Sequence, residues 1–186
     1  MMANKTSDPS DPRRELRKLI RADKKYIRLR QAFETLPQFQ LPIEDMHKDI
    51  LTTHKTRTIR RLNTRANDFI DKVVEAAAGD INSRGRLTEI MVVSLKASRQ
   101  LKLAIETLSD YLVSQYGDRL RRIASTKGER DKFIETLLRD FINYVAKADT
   151  LREAAAMVIA DIDKDGYGLR VIVDTLRITN KYEGQL

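Results

Sequence analysis

The hexapeptide Asp161-Ile-Asp163-Lys-Asp165-Gly166 places carboxylates at positions 1, 3 and 5 and a glycine at position 6, as the opening of a calcium-binding EF-hand loop does. Such a loop closes its oxygen shell with a bidentate Glu at position 12, where this chain has Ile172, and it keeps an apolar residue at position 8, where this chain has Gly168. The pattern fails where the ion would need charge, so the segment reads as a charged helix end turning through glycine. Glu44-x-x-His47 has the i, i+3 spacing of one half of a di-iron carboxylate site. The other half is missing, because the second histidine, His54, has Leu51 at the matching position. With two histidines, no cysteine, no Gly-x-Ser-x-Gly and no Lys-Ser/Thr after either glycine cluster, there is no nucleophile with its base and no phosphate loop. The expectation is a protein that is not an enzyme and uses no metal or other cofactor.

What the sequence does concentrate is positive charge. Arg14, Lys18, Arg21, Lys25 and Arg28 recur at spacings of 4, 3, 4 and 3. At about 100° per residue they share an arc of roughly 80° on a helix. A second stripe, Arg57, Arg61 and Arg65 flanked by Lys55 and Arg60, has no acid among it, and a third cluster is Arg119, Arg121 and Arg122. Charge on a helix is usually offset by carboxylates one turn away, yet residues 13–30 hold nine Lys and Arg against Glu15 and Asp23. Repulsion left unrelieved in this way points to a polyanion as partner. Tyr26, Tyr111 and Tyr116 lie beside these clusters, where they would either stack on unpaired bases or pack into the core.

The elements that would carry these residues are helices. The chain has 186 residues with 35 Lys and Arg, 27 Asp and Glu, a net charge of +8, 7 Gly and 4 Pro, which suits one helical domain with an arm. The expected fold is all-α: about four long helices and a short C-terminal one, packed as an antiparallel bundle with a basic N-terminal helical arm. Residues 1–12 read as a flexible leader, 13–36 as the arm helix, 37–42 as a linker broken by Pro37 and Pro42, and 43–186 as the bundle domain. Within the bundle, the second helix is expected to stop at Gly79, a loop to span 79–85, and a third helix to cover 86–116 and end at Gly117. A basic connector over 118–127 ends in a Thr126/Glu129 capping box. Leu137, Phe141, Tyr144, Ala148, Leu151, Ala155, Val158 and Ile162 then form an unbroken 3.5-residue seam. Gly166 and Gly168 are expected to bend or end that helix, so that Leu169, Ile172, Val173 and Leu176 fold back as a short last one.

Tyr116-Gly117, read as an aromatic-Gly helix stop, and the closing run Ile162-Asp-Lys-Asp-Gly-Tyr-Gly-Leu-Arg-Val-Ile-Val-Asp174 resemble the recombination-mediator proteins of large tailed phages. The resemblance covers little more than the last third of the chain. It implies a small helical oligomer that binds single-stranded DNA and loads a recombinase onto it. The chain departs from the family pattern in a longer N-terminus and in lacking a basic cluster over 106–116, so no binding residue transfers one for one.

Taken together, the expectation is a sequence-tolerant nucleic-acid-binding protein of recombination, replication or packaging, with single-stranded DNA as the favoured ligand. Its contacts would come from Arg14, Lys18, Arg21, Lys25, Arg28, Arg57, Arg60, Arg61, Arg65, Arg119, Arg121 and Arg122. The coiled-coil-like seam suggests a homo-oligomer, and a recombinase or replication protein is the expected protein partner. No stretch approaches the roughly 20 apolar residues that span a bilayer, so the protein is expected to be soluble and cytoplasmic, in a bacterial host if viral. The alternative is a structural scaffold or adaptor of a virion or other assembly, whose basic arm docks on an acidic protein.

Overall fold

The structure, a computed structural model, describes residues 11–57 and 69–183. All regular structure among them is helical: α1 (Pro12–Ala22), α2 (Lys24–Glu34), a single 3₁₀ turn (Pro37–Gln40), α3 (Ile43–Thr56), α4 (Phe69–Ile123), α5 (Lys127–Leu137) and α6 (Arg139–Glu183). No helix among the described residues is long and apolar enough to cross a membrane.

The N-terminal basic segment is two helices, not one. Asp23 adopts an extended backbone (φ −71°, ψ 113°) and serves both. Its N–H donates to the Ile20 carbonyl and closes α1, while its carboxylate accepts from the Lys25 and Tyr26 N–H groups and opens α2. Aspartate is among the residues best suited to this N-cap role, which sequence periodicity alone does not register.

The glycine punctuation expected in the second half of the chain does not occur. α4 runs 55 residues straight through Gly79, Gly85 and Gly117, and α6 runs 45 residues through Gly166 and Gly168. None of these glycines has positive φ. The reason is a second seam. Phe69, Val73, Ala76, Asp80, Ser83, Leu87, Ile90, Ser94, Ala97, Leu101, Ala104 and Leu108 step by 4 and 3, and all but the half-buried Ser83 are buried. Burial of a face this long outweighs the cost of about 1 kcal/mol that each interior glycine imposes. The connector after α4 is accordingly short, 124–126, and ends in the expected capping box, with Thr126 and Glu129 bonding each other's backbone N–H. The 137–162 seam is buried apart from the half-buried Tyr144, but Leu138, with its N–H on the Ile134 carbonyl, separates α5 from α6 at its start. Leu169 and Val173 are half-buried and Ile172 is exposed, all on α6 itself and not on a separate helix; the side chain of Leu176 lies outside the described ones.

Two compact units result. Unit 1 takes the chain up to Leu41 together with Lys96–Ala146, and unit 2 takes Pro42–Leu95 with Lys147–Leu186. Unit 1 closes on Leu16, Ile20, Tyr26, Leu108, Leu120 and Phe141 among others. The N-terminal helices are thus packed into a core and do not stand away as an arm, and the division does not fall at residue 43. Unit 2 closes on Ile50 of α3, Leu87 and Ile90 of α4, and Leu151, Ala155, Val158 and Ile162 of α6.

Because Gly79 and Gly85 are helical, and a methyl group at either meets no atom within 4 Å, alanine fits both. Gly79→Ala and Gly85→Ala should each stabilise the protein by about 0.5–1 kcal/mol, read as a higher urea midpoint at unchanged slope. A loop over 79–85 would give no gain.

Candidate nucleic-acid interface

Charge is divided unequally between the units. The sequence making up unit 1 carries 20 Lys and Arg against 12 Asp and Glu, and that of unit 2 carries 15 against 15. The whole net charge of +8 therefore belongs to unit 1.

Within unit 1 the cations have two different roles. Arg13 donates from Nε and Nη2 to the Ile123 carbonyl at 3.4 Å, capping the end of α4. Arg17 lies over the Phe133 ring, 5.4 Å from its centroid. Arg30 bonds Glu34 (2.7 Å), Asp140 (2.9 Å) and the Leu137 carbonyl (3.3 Å), and covers Phe141 at 5.4 Å. These three hold the fold. Arg14, Lys18, Arg21, Lys25 and Arg28 are exposed, as are Arg119, Arg121 and Arg122. The expected single stripe is divided, because the helix phase restarts at Asp23: Arg14, Lys18 and Arg21 lie on α1 and Lys25 and Arg28 on α2, where Lys24 is exposed too. Arg119 and Arg122 line a groove of about 310 Å³ with Pro12, Glu15, Leu16, Leu19 and Ile123, so the end of α4 lies against α1. Arg119 and Arg122 thus lie beside the Pro12, Glu15, Leu16 and Leu19 side of α1, while Arg14, Lys18 and Arg21 project from a different side of that helix.

The remaining stripe belongs to unit 2. Arg57, which ends α3, is buried in unit 2, its side chain 2% exposed. It forms a bidentate pair with Asp80 (3.0 and 2.7 Å) and a third bond to Asp165 at 3.1 Å. The Asp80 hydrogen bond raises its pKa against the opposing effect of burial. An arginine closed off by two carboxylates does not contact phosphate. Arg60, Arg61 and Arg65 lie outside the described residues. Asp161 and Asp163, the other carboxylates of the EF-hand-like hexapeptide, pair with His54 (3.3 Å) and Arg84 (2.8 Å) along a continuous helix.

The tyrosines are not stacking platforms. Tyr26 and Tyr116 are buried and Tyr111 is half-buried. Tyr111 and Tyr116 donate their hydroxyls to Asp23 Oδ2 at 2.6 and 2.7 Å. Burial pushes both phenols up, Tyr111 to about 12, and the bond to the aspartate adds to it. For Asp23 the balance reverses: burial acts to raise its pKa, but the two hydroxyls and the two backbone N–H groups together lower it.

Set against protein-family models, curated proteins and solved structures, the chain matches none of them significantly.

Asp23→Ala should cost about 2–4 kcal/mol, about 1 from the lost cap and the rest from the two tyrosine hydroxyls left without their acceptor. A carboxyl whose pKa is depressed on folding stabilises fully above its unfolded value of about 3.8, and that contribution is lost as pH falls through the lower folded value. The stability gap between the protein and its Asp23→Asn variant, measured by urea unfolding, should hold steady from pH 7 to about 4 and shrink below that.

Proposed function

We propose that unit 1 is a sequence-tolerant nucleic-acid-binding module and that the chain acts without enzymatic chemistry of its own. The observation that carries this reading is the partition of charge: unit 1 holds all of the +8, with eight of the predicted cations exposed on α1, α2 and the end of α4. Exposed, helix-borne Lys and Arg that outnumber the carboxylates around them suit phosphates, which carry no sequence information, and not base edges. Recombination, replication or packaging is the setting we infer, and the phage-mediator resemblance adds recombinase loading to it. The features that carry that resemblance have a different structure here, since Tyr116-Gly117 lies inside α4 and the closing run inside α6.

Self-association belongs to the same proposal and falls to unit 2. The 137–162 seam is used within the chain, so it no longer argues for an oligomer. The large apolar side chains left exposed, Ile70, Val74, Ile81, Met157, Tyr167 and Val171 among them, are concentrated in unit 2, whose charges balance. Self-contact there would incur no net repulsion.

Replacing Arg14, Lys18, Arg21, Lys25 and Arg28 together by Gln should weaken binding to any oligonucleotide by two orders of magnitude or more at about 100 mM salt, since the salt slope falls by about 0.7–0.9 for every phosphate left without its cation. Lys48→Gln with Lys164→Gln, in unit 2, should leave affinity near that of the parent, and circular dichroism melts would confirm that both variants fold. Loss confined to one sequence would count against phosphate contact, and no binding by the parent at low salt would favour the scaffold that docks on an acidic protein. Light scattering coupled to size exclusion should give a mass well above one 21.4 kDa chain at micromolar concentration; a clean monomer would end the self-association reading.

A further inference from the structure

Single-strand binders combine a basic groove with aromatic faces on which bases stack, and each stacked base is worth about 1–3 kcal/mol. Unit 1 has the cations without the faces. Among its described residues no aromatic side chain is exposed. The rings nearest the basic face are also covered: Lys25 lies over Tyr111 at 5.3 Å from the centroid, and Arg17 lies over Phe133 at 5.4 Å. Deeper in unit 1, Phe39 and Tyr144 stack on each other at 4.7 Å, and the Tyr144 hydroxyl is bonded to the Leu41 carbonyl. The Tyr111 and Tyr116 hydroxyls are held by Asp23, so turning either ring outward would break a bond that also anchors the start of α2.

From this we infer that unit 1 engages duplex nucleic acid through its phosphates alone, in preference to an unpaired strand. The inference rests on the nucleic-acid reading of unit 1. A reader limited to phosphates gains most from the polymer with the densest charge. B-form duplex carries about one charge per 1.7 Å of axis, and each contact releases about 0.9 of a counterion, against about 0.7 for a single strand. With about six contacts in both cases and about 50 mM salt, that difference alone favours the duplex by more than tenfold. The geometry of the cations agrees with a stiff ligand. Arg14, Lys18 and Arg21 lie on α1, whose two ends are capped by Asp11 and Asp23, and so stand at fixed intervals of about 6 and 4.5 Å along the helix axis. A flexible strand would have to be ordered onto that row without stacking to offset its lost freedom, whereas a duplex arrives already ordered.

The experiment is fluorescence anisotropy of the full chain with a labelled 30-base-pair duplex and, separately, labelled oligothymidylate of 30 nucleotides, at 50, 100 and 200 mM NaCl. The expected result is at least tenfold tighter binding of the duplex at 50 mM, with the steeper salt slope. Equal or tighter binding of oligothymidylate overturns the duplex inference and leaves the nucleic-acid reading standing. Failure to bind either at 50 mM overturns both.

Discussion

Unit 1 depends on one carboxylate. Asp23 accepts four hydrogen bonds, from the Lys25 and Tyr26 N–H groups and from the Tyr111 and Tyr116 hydroxyls. The first two turn the chain from α1 into α2, and the last two fix that turn to α4, 88 and 93 residues further along the sequence. Leu16 and Ile20 before the break and Tyr26 after it are buried in the same core. The ionised form suits the task, because an aspartate can accept all four bonds at once whereas its protonated form gives up part of that capacity. The acid that looked like one of only two neutralising charges in a basic run is therefore committed to structure.

Unit 2 is organised by the opposite device, a buried cation. Asp80 occupies a seam position on α4 between Ala76 and Leu87, where an apolar residue would be expected, and Arg57 at the end of α3 explains it. A buried pair adds little net stability but is costly to break, by about 3–5 kcal/mol when one partner is removed. It fixes where α3 stops along α4, and Asp165 ties the same guanidinium to α6. His54 with Asp161, Arg84 with Asp163 and Arg86 with Asp49 repeat the pattern at the surface. Unit 2 thus uses many of its charges on itself, in keeping with its zero net balance.

Much of this was legible in the sequence, and what was not has physical causes. The all-helical class, the Thr126/Glu129 box and the 137–162 seam follow from periodicity and capping, which are local. The α4 seam was hidden because Asp80, Ser83 and Ser94 interrupt its apolar character and Gly79 and Gly85 look like stops. Only the long-range partner Arg57 shows that Asp80 is a core residue. Arg57 was misread for the same reason, since a basic stripe on paper does not reveal which of its members a distant carboxylate will claim. The tyrosines carried both readings, and Asp23 decided between them. Arg14, Lys18, Arg21, Lys25, Arg28 and the 119–122 cluster are all at the surface as expected, although Arg121 pairs with Asp118 at 3.3 Å and Lys25 covers the Tyr111 ring.

Of the nine cations in residues 13–30, Arg13, Arg17 and Arg30 are held by a carbonyl, a ring face and an ion-pair network, which leaves six exposed on α1 and α2. At separations of about 6–10 Å in water, each neighbouring pair repels by roughly 0.4–0.7 kcal/mol before screening, and salt at about 0.15 M screens over about 8 Å. The core of unit 1 carries that strain, since a single buried Leu or Phe offsets several such pairs. The repulsion is a property of the free protein alone. A chain of phosphates laid along α1 and α2 removes it and releases the phosphates' own counterions, so the crowding that opposes folding adds to the driving force for binding. Arg13, Arg17 and Arg30 show that this sequence can neutralise or bury a cation where the fold requires it. Of the six left exposed on the same two helices only Lys25 covers a ring, and that surplus is the physical reason to read these helices as a surface for a polyanion.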